Sequence, residues 1–216
     1  MVIWQQNAQS AQLRLERKYV AHTNQGFLLQ ETSQLATLLL GSEDRARIQE
    51  MVLTDNLLQL RAEASRKTTY RAVMTRLEGV PEALLELLVS GSVDSRRLAN
   101  FYLILLKHRL LREFMAEVVL EQRQRLLSHI SAVDVRTFFS RKQDQEPEIG
   151  AWSAATLQKS QGNIVNLTSS AGLLSKADGA RWAIHSVFVP TQLREVITAQ
   201  GHQALLPLML DQNSHV

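Results

Sequence analysis

Residues 92–125, SVDSRRLANFYLILLKHRLLREFMAEVVLEQRQR, form the most apolar long segment of the chain and constrain it most. Leu98, Phe101, Tyr102, Leu105, Leu111, Phe114, Met115, Val118 and Val119 recur at spacings of three and four, the period of a helix that buries a stripe. From Phe101 to Leu106 the apolar residues run nearly all the way round, so other helices must pack this part on several sides. The run is too short for a membrane span, which needs roughly 20 apolar residues. Lys107, His108 and Arg109 end it, marking either a break between two helices or a basic collar on one long helix.

A chain of 216 residues holds one large domain or two small ones and buries enough apolar surface to fold without disulfides or a structural metal. Cysteine is absent, which excludes thiol catalysis, thiolate metal sites and a disulfide framework, and which fits a reducing cytoplasm. The N-terminal residues lack the apolar core of a signal peptide, so export is not expected. The net charge is only +3, but arginine greatly outnumbers lysine, and its planar fork of donors suits phosphate. The same composition also fits a mildly basic protein with solvated charges.

In chain order, residues 13–20 read as a short helix or arm carrying Arg14, Arg17 and Lys18. Leu28, Leu35, Leu38 and Leu39 predict a helix that Gly41 terminates. Ser42 is the expected N-cap of the next helix, with Glu43 and Asp44 in its first turn and Ile48, Met51 and Val52 on its apolar side. After the link TDNLLQLRAEA, Ser65 is the expected cap of a helix that ends at Gly79. Tyr70, Val73, Met74 and Leu77 form its inner stripe. A basic helix after two others has the layout of a helix-turn-helix reader: Arg66, Lys67, Arg71 and Arg76 would meet phosphates or base edges, and Thr68, Thr69 and Thr75 are short enough to allow close approach. A core helix with a solvated polar side produces the same pattern. Pro81 then opens a helix over residues 82–89.

The second half has a clearer pattern. A helix over residues 133–144 turns Val135, Phe138 and Phe139 inward and Arg136, Arg141 and Lys142 outward. Ser153 caps a further helix whose inner face carries Leu157, Ile164, Val165, Leu167 and Ala171. Its outer face, with Ala155, Thr156, Lys159, Gly162, Asn163, Asn166 and Ser170, is small, polar and free of acid, which suits a nucleic-acid groove. Asp178 and Gly179 then predict a tight turn, and residues 182–189 are rich in β-branched and aromatic types, so a two-stranded hairpin is expected with Lys176 and Arg181 near its tip. A recognition-like helix followed by such a hairpin is the order of a winged helix. Residues 191–216 read as a short helix and an apolar cap.

Catalytic chemistry leaves no signature. His22, His108, His129, His185, His202 and His215 are scattered, without the spacing of a helical metal site, and there is neither a glycine-rich phosphate loop nor a nucleophile elbow. Glu113, Glu117 and Glu121 repeat at helical spacing, which reads as a solvated helix face. No cofactor or metal is expected, and a binding protein is favoured over an enzyme.

The segments FLLQETSQLATLLLG, TDNLLQLRAEASRKTTYRAVMTRLEGV, LANFYLILLKHRLLREFMAEVVLEQ and WSAATLQKSQGNIVNLTSSAGLL resemble, in order, successive blocks of the BrxA family of BREX bacteriophage-exclusion systems. The resemblance extends from about residue 26 to 196. It implies a cytoplasmic component of a bacterial phage-defence locus that works beside a methyltransferase, an ATPase and a protease-like partner. It also implies double-stranded DNA binding, with a likeness to the RNA-binding factor NusB as an alternative. It carries no catalytic residues over.

The sequence therefore predicts a mainly α protein: a helical N-terminal domain of helix-turn-helix character over residues 1–108, and a C-terminal winged-helix-like domain with a small β-hairpin over 109–216. The central region 92–125 is shared between them. The expected function is non-enzymatic binding of duplex DNA through Arg66, Lys67, Thr68, Arg71, Thr75, Thr156, Lys159, Asn163, Lys176 and Arg181. The competing readings are an RNA binder and a scaffold for other BREX proteins.

Overall fold

The computed structural model describes residues 18–21, 26–41 and 44–212. Arg14 and Arg17 of the expected arm, Ser42, Glu43, His22 and His215 lie outside the described residues.

Five helices come first: α1 (Leu29–Leu40), α2 (Arg45–Leu53), α3 (Glu63–Leu77), α4 (Glu82–Ser90) and α5 (Val93–Lys107). Gly41 follows α1 and its N–H closes on Thr37 O, as expected of a C-cap. Two caps differ from expectation. Asp44 is the N-cap of α2, its carboxylate accepting from Arg47 N at 2.6 Å, and not a first-turn residue. α3 starts at Glu63, two residues before Ser65.

α5 is the hub. Ser92 caps it by accepting from Ser95 N, and eight consecutive residues, Leu98 to Leu105, are buried. Such burial on all sides needs neighbours all round, and α1, α3, α4 and a later helix supply them. The helix ends at His108, whose backbone leaves the helical region (φ −125, ψ 87) and whose Nδ1 accepts from Leu111 N at 3.2 Å. The charged triplet is therefore a break, with His108 as the cap of the next segment.

That segment is α6 (Arg109–Phe114), a π-helical stretch (Met115–Leu120) and α7 (Glu121–Gln124). A short strand β1 (His129–Ser131) follows, then α8 (Ala132–Gln145), α9 (Pro147–Gly150), α10 (Ala154–Ser170), strands β2 (Leu174–Lys176) and β3 (Arg181–Ile184), and α11 (Thr191–Ala199). Ser131 and Asp134 form a capping box at the start of α8, and Ser153 caps α10 through Thr156 N. The strands form an antiparallel sheet of order β1-β3-β2, with Ile130 opposite Trp182 and Ser175 opposite Ala183. The expected hairpin is thus present but gains a third strand, and β3 stops at Ile184; beyond it Val187 makes only a bridge to Asp211.

The chain is mainly helical with this one small sheet, and a single buried apolar cluster extends from Tyr19 to Leu210. The apolar segment after α11 packs back as expected, burying Leu205, Leu206, Met209 and Leu210. No helix among the described residues is long and apolar enough to cross a membrane.

Candidate nucleic-acid interface

On α3 the inner stripe is Val73, Met74 and Leu77, all buried, with Tyr70 half-buried. Lys67, Thr68, Arg71 and Thr75 are exposed on the other side, and Arg66 and Thr69 are half-buried. Lys67 reaches back to Glu63 at 2.6 Å, and its ammonium holds the Glu63 carboxyl below the usual range. The Thr68 hydroxyl donates to Ala64 O at 2.9 Å. Water competes freely for both groups, so an incoming phosphate can displace these contacts.

Arg76 corrects the sequence reading. It does not face solvent but is 6% exposed, and its guanidinium donates to Phe27 O at 2.7 Å, Asn100 Oδ1 at 2.9 Å, Thr32 Oγ1 at 3.2 Å and Gly26 O at 3.3 Å. Burial pushes its pKa down to about 10. Arg76 ties the chain before α1 to α5 and is unavailable to a ligand.

α10 contains no carboxylate along its length. Lys159 is exposed, while Thr156 and Asn163 are half-buried, and the Thr156 hydroxyl is 2.9 Å from Ser153 Oγ. These three share one stripe. The neighbouring stripe, with Gln158, Gln161, Gly162, Val165 and Asn166, lines a groove of about 730 Å³. Arg136 of α8 and Lys176 and Trp182 of the sheet complete it, with no carboxylate among the described residues that line it. The Lys176 ammonium lies 5.4 Å from the centre of the Trp182 ring, a cation–π distance. Arg181 begins β3 and is exposed, with Asp178 at 3.9 Å across the turn.

The residues expected to bind therefore fall into two groups. Arg66, Lys67, Thr68, Arg71 and Thr75 are on α3. Thr156, Lys159 and Asn163 are on α10, and Lys176 and Arg181 flank the turn that follows it. Both helices pack on α5. Arg136, Gln161 and Trp182 join the second group only through the fold; the sequence showed each residue but not their convergence.

A third cluster departs from expectation. Lys142 is not outward: its side chain is 7% exposed and its ammonium lies 2.8 Å from Glu113 and 2.7 Å from Glu117. Glu113 also accepts from Arg109 at 2.8 Å and from the Tyr19 hydroxyl at 2.9 Å, and the Arg109 guanidinium lies 3.8 Å from the Tyr19 ring centre. Glu117 pairs with Arg141 at 2.6 Å. Glu113 and Glu117 are thus a partly buried ionic joint between α6, the π-helical stretch and α8, and not a solvated face. Burial raises the Tyr19 hydroxyl pKa far above its ordinary value, helped by the Glu113 carboxylate. Burial alone would raise the Glu113 pKa too, but hydrogen bonds from Lys142, Arg109 and Tyr19 outweigh it and hold the carboxyl below its usual range. Among the described residues no group of three or more metal-ligating side chains converges.

Comparison with known proteins adds to this geometry. A crystal structure of an uncharacterized protein from Magnetospirillum magneticum superposes with a TM-score of 0.76 at 18% identity, covering 88% of this chain and 97% of that one, which shows a shared fold. Two curated relatives are both described as BREX protein BrxA. The Bacillus cereus (strain H3081.97) protein is 25% identical over 154 residues, 71% of this chain and 77% of its own. The Escherichia coli O9:H4 (strain HS) protein is 22% identical over 179 residues, 83% of each. The family model described as BrxA matches residues 18–201, nearly the whole of the described chain, and the ordered blocks that resembled this family all fall inside or across that span: the chain belongs to the BrxA family.

Proposed function

We propose that this protein binds duplex DNA without catalysing a reaction, mainly through phosphate contacts and with little sequence specificity, as a component of a BREX system that works alongside other BREX proteins. One observation carries the reading: α10, a helix of 17 residues without an acid, leads directly into a β-ribbon whose turn is flanked by Lys176 and Arg181. The order helix, β1, α8, α10, β2, β3, with only the single turn α9 inserted between α8 and α10, and the strand order β1-β3-β2 support treating this module as a winged helix. In that arrangement α10 faces a groove of the duplex and the β-ribbon follows the backbone. Lys159, Lys176 and Arg181 supply charge, and Thr156 and Asn163 supply short polar contacts. Arg66, Lys67 and Arg71, with Thr68 and Thr75, offer a second cationic surface on α3.

A salt titration of duplex binding tests the reading. Each phosphate neutralised releases counterions, so affinity should fall steeply as salt rises, and Lys159→Glu combined with Lys176→Glu should weaken binding further and make the salt dependence shallower. Tighter binding to structured RNA would replace duplex DNA with RNA as the ligand. No binding to either at low salt would make the basic faces docking sites for partner proteins.

A further inference from the structure

The groove beside α10 is concave, and a duplex does not enter a cleft of this size. Its volume of about 730 Å³ falls in the range of roughly 300–1,000 Å³ found for clefts that hold small molecules. Three features of its lining point to a nucleotide. Trp182 offers an aromatic ring, already covered by the Lys176 ammonium at 5.4 Å, a position that a flat π-system can take over. Gln158, Gln161 and Asn166 each present a donor and an acceptor side by side, the pattern that pairs with the edge of a base. Arg136 and Lys176, from two different elements, supply positive charge with no lining carboxylate to neutralise it.

Gly162 is the independent observation. A glycine inside a helix costs about 1 kcal/mol relative to alanine. That cost is often explained by a close neighbour that leaves no room for a side chain. Here a Cβ at Gly162 would meet nothing within 4 Å, so no contact within the protein requires the glycine. What its missing side chain leaves is open space in the groove.

The geometry points to a binding site for a single unpaired nucleotide between α8, α10 and the β-ribbon, with the base against Trp182 and its phosphates near Arg136 and Lys176. This rests on the nucleic-acid reading above and deepens it. The protein would bind a duplex at its backbone and take an extruded base or a strand end into the groove. An acidic peptide would also meet the two cations, and its main chain could bond the amides, but its acidic side chains offer the Trp182 ring no flat partner to stack on.

Two measurements on the full chain test this. In fluorescence anisotropy, a short duplex carrying one unpaired thymidine should bind about tenfold tighter than the fully paired duplex, within what stacking of one base on an aromatic ring contributes. Trp182→Leu and Gly162→Met should both bring the two affinities together. The Cβ of the second variant meets no neighbour and methionine is a better helix former than glycine, so it should fold, and an unchanged circular dichroism melt checks this. Separately, a short oligothymidylate should quench tryptophan emission saturably in the native protein and not in Trp182→Leu. Equal affinity for paired and unpaired duplexes would overturn the nucleotide site while leaving duplex binding intact. If neither duplex binds, duplex binding falls, and the oligothymidylate titration decides the groove alone: saturable quenching that depends on Trp182 upholds it, and its absence overturns it. Competition by polyglutamate but not by oligothymidylate would likewise overturn it.

Discussion

Arg76→Met isolates a buried cation that sequence periodicity places at the surface. The guanidinium is 6% exposed, and burial lowers its pKa from 12.5 to about 10, a penalty of roughly 3 kcal/mol at about 1.4 kcal/mol per pKa unit. Against this stand four hydrogen bonds to Phe27 O, Gly26 O, Thr32 and Asn100, each contributing about 1.5–3 kcal/mol when the donor is charged. The substitution relieves the penalty but loses the bonds, and it leaves Asn100 Oδ1 without its donor in a site that is 0% exposed. Phe27 O keeps the Asn100 Nδ2 donor at 2.7 Å, which limits the loss. The net expectation is a destabilisation of about 3 kcal/mol, which for a chain of this length lowers Tm by about 6–12 °C. Urea unfolding followed by circular dichroism measures it, with the slope unchanged if only stability has moved. Because an orphaned partner carries part of the cost, Arg76→Met with Asn100→Leu should destabilise less than the sum of the two single changes. A single variant within about 0.5 kcal/mol of the native protein, or a strictly additive double, would refute the reasoning. DNA affinity per folded molecule should not change, since the side chain reaches no ligand.

The ionic joint at Lys142 behaves similarly. Lys142→Met removes the cation that Glu113 and Glu117 share, leaving Glu113 to Arg109 and Tyr19 and Glu117 to Arg141, and should cost about 1.5–3 kcal/mol in urea unfolding. The pH dependence of stability has a sign at each end. The Glu113 carboxyl is lowered in the folded state, so it contributes stability above its ordinary value of 4.5, which is lost as pH falls through the folded value; Glu113→Gln should flatten this acid limb. The Tyr19 hydroxyl is raised, so it contributes stability below its ordinary value of 10, which is lost as pH climbs above it; Tyr19→Phe should flatten the alkaline limb in the same unfolding series.

The helices were legible because a period of 3.6 residues and side-chain caps are local. Ser153 caps α10, and Gly41 ends α1, as the sequence implies. What depends on distant partners was not legible. β1 is only three residues long and runs directly into a capping box, so its strand state exists only through pairing of Ile130 with Trp182. Arg76 and Lys142 follow a pattern that normally places cations in water, yet Phe27 and Glu117, 49 and 25 residues away, fix them inside. The groove beside α10 draws on three elements, and no sequence window contains Arg136, Gln161 and Trp182 together. Both misplaced cations err in the same direction. A periodicity argument assumes that charge faces solvent, so it overcounts the cations available to phosphate. The proposed interface is therefore built from cations that the fold leaves exposed, Lys67, Arg71, Lys159, Lys176 and Arg181, with Arg136 beside them in the groove, and most of these gather around α10 and the ribbon after it. A duplex held there would feel little opposing charge from α10 itself, since that helix has no acidic residue along its 17 positions.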